Sequence, residues 1–395
     1  MKTILYLSYF YYPDLSAGSF RNTALSKMLS KKLSGDTRIH LVCTQPNRYY
    51  NVETKLPSVE HLGNLTIHRI DVPQHKNKFL KQVISFYYYQ RGVWKIIKEL
   101  NLSFIFASTS KIFTGYLAYR IASVRKVPYY IDLRDLFSEN IAELELFPFF
   151  NKFLSKWIYK NIERPTLMNA AHININSDGF RSSLPKEFKG TISFYPNGID
   201  DEFIGWIQDP SLGRSKMVVC YAGNIGEAQG LHRLIPELAV SLKESHRFII
   251  IGDGSAKHKL QNEIVRLKLK NVKLIPPVKR TMLLDYYRTA HYLLLHLNDY
   301  KSFEKVLPSK IFEYAGGNIP ILAGVSGYAK TFLETEVKQN CYIFKPCDVG
   351  MIRNYLELNL YSTQSRTEFS EKYSRENITN QMANSILSTI QKFNG

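Results

Sequence analysis

At 395 residues the chain is longer than one ordinary hydrophobic core organises, so two domains are expected. Its 45% hydrophobic and 22% charged content is that of a globular protein. The net charge of +18 favours a polyanionic partner: nucleic acid, an anionic membrane or a phosphorylated ligand. The four cysteines, Cys43, Cys220, Cys341 and Cys347, form no CxxC pair and have no matching histidine cluster. That argues against a disulfide framework or structural zinc and for a reducing cytosol. The first apolar run is short and aromatic and ends at Pro13-Asp14, unlike a signal peptide. No run of about 18 apolar residues is present, so no segment is expected to span a bilayer.

Residues 3–10 read as a buried strand, followed by the turn-rich loop 11–21 and a helix from near Asn22, with Ala24, Leu25, Met28 and Leu29 on one face. Strand, small-residue loop and helix is how doubly wound folds present backbone N–H groups to a ligand. Gly18 and Ser19 would let a phosphate come close, and Arg21 either adds a charge or is an ordinary surface arginine. Further strands are predicted at 39–43, 66–70, 104–107, 128–132, 173–176 and 191–194, with helical patterns between several of them. Residues 46–65 read as a polar, irregular loop. The first half is therefore α/β with a mostly parallel sheet.

Asp132-Leu133-Arg134-Asp135-Leu136 follows the strand at 127–131, where polar residues line the crevice of an open α/β sheet. An Asp–Arg pair capping the next helix is the other reading. Two stretches, 86–98 and 147–160, mix aromatic and basic residues. In the second, Phe150, Phe153, Leu154 and Trp157 share a helical face, while Lys152, Lys156 and Lys160 recur every fourth residue beside it. Such a helix either lies on an anionic membrane surface or is an amphipathic core helix with a solvated basic face. No nucleic-acid-binding module is visible, so no nucleic-acid partner is expected.

Residues 201–215, with Asp209-Pro210 and Gly213, suit a linker. The plan then restarts. A strand at 217–222 runs into Gly223-Asn224-Ile225-Gly226-Glu227-Ala228-Gln229-Gly230 and a helix at 231–242. This second glycine-rich loop can meet a diphosphate through backbone N–H groups. Strands follow at 248–251, before Gly252-Asp253-Gly254, at 272–275, before Pro276-Pro277-Val278-Lys279, and at 292–297.

In residues 302–323, SFEKVLPSKIFEYAGGNIPILA, Pro308 suits the first helical position. Ile311, Tyr314 and Ala315 are spaced to face a core, and Gly316, Gly317 and Asn318 suit a left-handed cap before the strand 321–323. Lys310 stands in the first turn, where the helix end disfavours cations. It makes sense there if an anion docks against free N–H groups and ammonium together. Glu313, one turn along, could accept hydrogen bonds from two sugar hydroxyls. The pair suits a ligand with a phosphate end and a polyol end; a surface Lys–Glu pair is the plainer reading. No Asp-x-Asp cluster offers a metal site.

PSKIFEYAGGNIPIL is similar to the donor-site helix of the retaining glycosyltransferases of family 4, with the closest resemblance to enzymes that build bacterial surface polysaccharides such as O-antigen or capsule. The resemblance implies the GT-B fold: two Rossmann-like α/β domains facing across a cleft. Residues 1–196 with a returning helix at 377–395 would bind acceptor, and 197–376 would bind the nucleotide-sugar donor. It implies that Glu313 binds the ribose and that Lys310, with Leu307, Pro308 and Ser309, holds the diphosphate. Gly18 and Ser19 would reach the donor from the first domain. Asn224, Gly226, Gln229 and Gly252 would line the second glycine-rich site, with Val278 against the base. Relatives often carry Arg and Lys where Asn224 and Gln229 stand, which leaves the positive charge to Lys310. The string at 132–136 resembles a DxRDLWP-like motif, with Phe137 for Trp and Ser138 for Pro, which places Asp132, Arg134 and Asp135 on the acceptor side. Asp135 would orient the acceptor hydroxyl. The family pattern has two glutamates separated by seven residues. Counting back from Glu313 gives Lys305 at the first place, with Glu304 its neighbour as the candidate for contacting the transferred sugar. The expected activity is retaining transfer from a nucleotide diphosphate sugar, UDP-linked, to a lipid-linked saccharide, with no cofactor or metal, by a cytoplasmic protein peripheral to the plasma membrane. The competing expectations are a GT-B sugar-nucleotide epimerase or phosphorylase, and a basic RNA- or lipid-binding protein with a decayed site.

Overall fold

The computed structural model describes residues 2–33, 35–46, 55–73, 79–109, 112–136, 138–139, 148–213, 215–358 and 361–394. The chain forms two compact units, one of residues 1–198 with 375–395, the other of residues 199–374.

In the first unit the elements are β1 (Lys2–Ser8), α1 (Ala17–Lys32), β2 (Thr37–Thr44), β3 (Val59–Leu62), β4 (Leu65–Ile70), α2 (Phe79–Ile97), β5 (Phe104–Ser108), α3 (Ile112–Arg125), β6 (Tyr129–Leu133), α4 (Pro148–Ile158), a π turn (Tyr159–Glu163), α5 (Arg164–Met168), β7 (His172–Ile175) and β8 (Thr191–Phe194). The sheet order is β3-β4-β2-β1-β5-β6-β7-β8. Apart from the antiparallel β3–β4 pair, the ladders run parallel. Helices on both faces explain why β1, β5 and β6 read as nearly unbroken apolar runs. The order reverses between β1 and β5, the switch point where such sheets bind ligands.

The second unit repeats the plan with β9 (Met217–Asn224), α6 (Leu231–Ser241), β10 (His246–Asp253), α7 (Lys257–Arg266), β11 (Val272–Ile275), α8 (Arg280–Arg288), β12 (Tyr292–His296), α9 (Lys310–Ala315), β13 (Ile321–Gly324), α10 (Gly327–Phe332), β14 (Cys341–Phe344), α11 (Val349–Leu358) and α12 (Thr367–Lys372). Its wholly parallel order, β11-β10-β9-β12-β13-β14, reverses between β9 and β12.

The chain returns to the first unit as α13 (Arg375–Asn394). Met382, Ala383, Ile386 and Ile390 recur at helical spacing and join Leu25 and Leu29 of α1 and Ile4 and Ile39 of the sheet in one core. Ile386→Ala is expected to lower unfolding stability by about 2–5 kcal/mol, measured by denaturant titration. An unchanged midpoint would show that α13 contributes nothing to the first unit.

Several expectations shift. α1 begins at Ala17, because Ser16 caps it by accepting the Ser19 N–H at 3.2 Å, so Arg21 is helical and buried. Residues 59–62, expected in an irregular loop, pair with β4 across Gly63-Asn64; residues 47–54 lie outside the described residues. β14 is an additional strand, hidden in sequence because Cys341–Phe344 is short and half-buried. β6 runs to Leu133, which puts Asp132 inside the strand rather than beyond it. Among the described residues no helix is long and apolar enough to cross a membrane.

The two aromatic-basic stretches form α2 and α4. Phe113 of α3 touches Phe86 of α2 (5.4 Å between ring centroids) and packs on Ile158 and Ile162 beside Leu154. α4 therefore buries Ile158, half-buries Leu154 and turns Phe153 (69% exposed) and Trp157 (50%) outward, so these aromatics do not share the buried face. Phe147 and the side chains of Phe150 and Lys152 lie outside the described residues.

Candidate active site

In the second unit the switch-point loops carry the site. α9 buries Ile311, Phe312, Tyr314 and Ala315. The Tyr314 hydroxyl accepts the N–H of Ala222 on β9 at 3.1 Å, which pins this short helix to the carboxyl half of the sheet. The first turn is tight: Ile311 and Phe312 donate to the Pro308 and Ser309 carbonyls, each at 3.2 Å. Pro308 thus precedes the cap residue Ser309 instead of occupying the first helical position. Gly316 ends the helix in right-handed conformation, with φ −67°, so the expected left-handed cap is not formed. Glycine is needed there for closeness. A Cβ on Gly316 would stand 2.0 Å from the Phe203 carbonyl oxygen, and one on Gly317 would stand 2.0 Å from the Trp206 ring.

Lys310 Nζ lies 2.6 Å from Glu313 Oε2, and both reach the Tyr287 hydroxyl at 3.3 Å. Their side chains are 23% and 15% exposed, so this is not a solvated surface pair. An ammonium has three donors, and this geometry uses two. Among the described residues one N–H of Lys310 and Oε1 of Glu313 make no hydrogen bond. Tyr287, fully buried, is held by Phe203, Trp206 and Tyr314. Burial first, then Glu313, pushes its hydroxyl well above the ordinary range, so it stays a neutral donor.

Arg280 extends the cluster. It pairs with Asp200 and with Glu202 (2.5 Å) and lies over the Phe203 ring at 4.7 Å. Burial acts to lower its pKa, but Glu313, Asp200 and Glu202 together hold it above the ordinary value. Neither Arg280 nor Tyr287 was marked by the sequence motifs. The available signal was their place on the helix after Pro276-Pro277-Val278-Lys279.

The glycine-rich turn after β9 closes on itself. Gln229 Oε1 accepts from Asn224 Nδ2 at 2.7 Å and from the Gly226 N–H at 3.2 Å. Asn224 and Gln229 therefore brace the loop, a role that sequence did not suggest. Gly252, at φ +148°, brings β10 so near β9 that a Cβ would meet the Gly223 carbonyl oxygen at 1.8 Å. Val278 is half-buried before α8, and Leu307 is buried ahead of Pro308. Glu304 is exposed on the 3₁₀ turn Lys301–Lys305; Lys305 is half-buried.

His296 supports this loop from beneath. It accepts the Cys347 N–H at Nε2 (2.8 Å), which leaves Nδ1–H to donate to the Gln229 carbonyl at 2.6 Å. Burial above all pulls its pKa from 6.5 down to about 4. A folded pKa below the unfolded one means that the neutral imidazole contributes stability above about pH 6.5, lost as pH falls toward 4. The melting temperature of the second unit is expected to fall across that window, less steeply in His296→Gln. Equal pH profiles for the two proteins would remove His296 from this role.

In the first unit Asp132 is fully buried and saturated. Oδ1 accepts from Arg21 Nη2 (3.0 Å) and Asn174 Nδ2 (2.7 Å), Oδ2 from Arg21 Nε (3.1 Å) and Ser108 Oγ (3.2 Å). Arg21 Nη1 donates to the Pro196 carbonyl at 2.6 Å. Arg21 is therefore neither a phosphate contact nor a surface residue, and Asp132 is a strut, not an acceptor-facing group. Arg134 is partly buried and Asp135 exposed, its Oδ1 accepting the Leu136 N–H at 3.0 Å. Gly18 and Ser19 are buried in the first turn of α1, and the Ser19 N–H is already taken by Ser16. A cavity of about 330 Å³ opens nearby, lined by Leu136, Ser138, Glu139, Lys156, Tyr159 and Glu163. The buried Glu163 carboxylate accepts both the N–H (3.1 Å) and the hydroxyl of Ser138.

Residues 206–376, nearly the whole of the second unit, match the family model described as glycosyl transferases group 1. A protein of Escherichia coli (strain K12) named for colanic acid biosynthesis, the glycosyl transferase WcaI, is 29% identical over 194 residues. The match spans 44% of this chain and 44% of that relative. Sucrose-phosphate synthase from Thermosynechococcus elongatus superposes with TM-score 0.76 over 99% of this chain and 100% of its own, at 13% identity. Anabaena Alr3699/HepE, in complex with UDP and glucose, does so with TM-score 0.66 over 98% and 100%, at 15% identity. The fold is GT-B: α/β, with two Rossmann-like parallel-sheet units.

Proposed function

We propose that this protein is a retaining glycosyltransferase that moves a sugar from a UDP-linked donor to a lipid-linked saccharide during assembly of a bacterial surface polysaccharide. The observation that carries the reading is the Lys310–Glu313–Tyr287 cluster at the switch point of a glycosyl transferases group 1 domain. Glu313 Oε1 receives the ribose hydroxyls, and the spare Lys310 N–H meets the diphosphate. Negative charge grows on that diphosphate as the glycosidic bond breaks, and a fixed ammonium stabilises the change without a metal ion. The acceptor hydroxyl, oriented by Asp135, attacks from the face the leaving group departs, and a phosphate oxygen takes its proton. The UDP complex and the colanic acid name of the two relatives support the choice of donor and pathway class.

The acceptor's lipid implies a membrane. Ile84, Tyr87 and Tyr88 of α2 and Phe153 and Trp157 of α4 are 49–69% exposed on helices that Phe113 joins. Neither helix carries an acidic residue, and Lys156 and Lys160 flank the aromatics. Such a surface suits the headgroup layer of an anionic bilayer.

A panel of UDP-, GDP- and dTDP-sugars, read by thermal stabilisation, tests the donor. A shift with UDP-sugars, and transfer with the anomeric configuration kept in the presence of EDTA, is expected. Stabilisation by none of them, or an inverted product, would defeat the reading.

A further inference from the structure

Arginines gather around Asp132 at the carboxyl edge of the first sheet. Arg21 and Arg134 both act on Asp132, and Arg21 and Arg375 both act on Arg134. Asp132 has every oxygen lone pair engaged, chiefly by Arg21, and Arg21 in turn spends its donors on Asp132 and the carbonyls of Tyr195 and Pro196. Arg134 is left over. Among the described residues its Nη2 reaches only the neutral Asn197 Oδ1, at 3.3 Å, and its buried Nη1 has no hydrogen-bond partner. Burial, then repulsion from Arg21 and Arg375, pulls the Arg134 guanidinium down to about 10 despite the help of Asp132. It remains charged at neutral pH.

A partly buried guanidinium with an unpartnered buried Nη1 and one long neutral contact is a folded-state liability. The fork suits a two-oxygen anion, which would meet both terminal nitrogens at once. We infer that Arg134 receives an oxyanion, a carboxylate or phosphate carried by the saccharide that the first unit binds. The acceptor is then an acidic saccharide, a narrower class than the proposed transfer reaction requires. This rests on that reading only for the ligand's role as acceptor. The anion site itself follows from the unpaired guanidinium.

The test uses the full chain and three probes at millimolar concentration: glucuronate, glucose 6-phosphate and glucose. Thermal shift is read for wild type, Arg134→Met, Arg134→Lys and Lys310→Ala. Wild type and Lys310→Ala are expected to be stabilised by glucuronate or glucose 6-phosphate but not by glucose. Arg134→Met should lose that response at least tenfold in apparent affinity, Arg134→Lys partly. The arm that responds tells carboxylate from phosphate. Without ligand, Arg134→Met should melt no lower than wild type, because an unpaired charge is removed. An equal response to glucose, a response lost in Lys310→Ala but kept in Arg134→Met, or no response with a lowered melting point in Arg134→Met would overturn the inference. The last would leave a guanidinium satisfied by internal water alone. UDP binding, measured in parallel, should be unchanged in the Arg134 variants; its absence in wild type would defeat the donor reading while leaving the anion result standing.

Discussion

Replacing Lys310 with alanine is expected to lower kcat by about 100-fold to 1000-fold with little change in donor KM. The effect is large because the ammonium is already aimed: Glu313 and the Tyr287 hydroxyl hold it at 2.6 and 3.3 Å, so no reorganisation is needed as the diphosphate departs. Glu313→Gln should act differently. The amide is a weaker acceptor for sugar hydroxyls and no longer fixes Lys310, so donor KM should rise about tenfold or more. Steady-state kinetics with separate titration of donor and acceptor distinguishes the two. If both variants fold and turn over like wild type, the donor does not bind at this cluster.

Asp132→Ala is expected to have the largest effect on stability. It would leave Arg21, 2% exposed, without its counter-charge in the centre of the first unit. Breaking a buried pair of this kind costs about 3–5 kcal/mol, whereas replacing both partners by apolar residues of similar volume costs far less. Arg21→Met with Asp132→Leu should therefore be more stable than Asp132→Ala alone. The pair also sets an acid limit. Burial by itself would raise the Asp132 pKa, but Arg21 and Arg134 hold it below the ordinary 3.8. The stabilisation is thus present above about pH 3.8 and fades as pH falls through the lower folded value. Equal denaturation midpoints for wild type and Asp132→Ala would mean that the pair contributes nothing.

The helix Lys310–Ala315 was legible in sequence because its information is local. A lysine in a first turn, a glutamate one turn on and an apolar face at helical spacing survive any change of surroundings. The alternation of short apolar runs with helical patterns likewise announced two doubly wound units. What sequence misassigned depended on distant partners. Asp132 looked acceptor-facing until Arg21, 111 residues away, took both its oxygens. The Gly316-Gly317 pair looked like a left-handed cap, but Phe203 and Trp206 are what exclude a side chain there.

The sequence by itself determined the fold class, the two-unit plan and the identity of the Lys310–Glu313 pair, since periodicity and helix-end chemistry operate over a few residues. Only the tertiary structure decided which polar groups are spent and which are free. That outcome turns on long-range pairing: Asp132 is satisfied because Arg21 reaches it, while among the described residues Nη1 of Arg134 has no hydrogen-bond partner. A charge becomes a strut or a binding group according to whether the folded chain supplies its partner, and no local pattern encodes that.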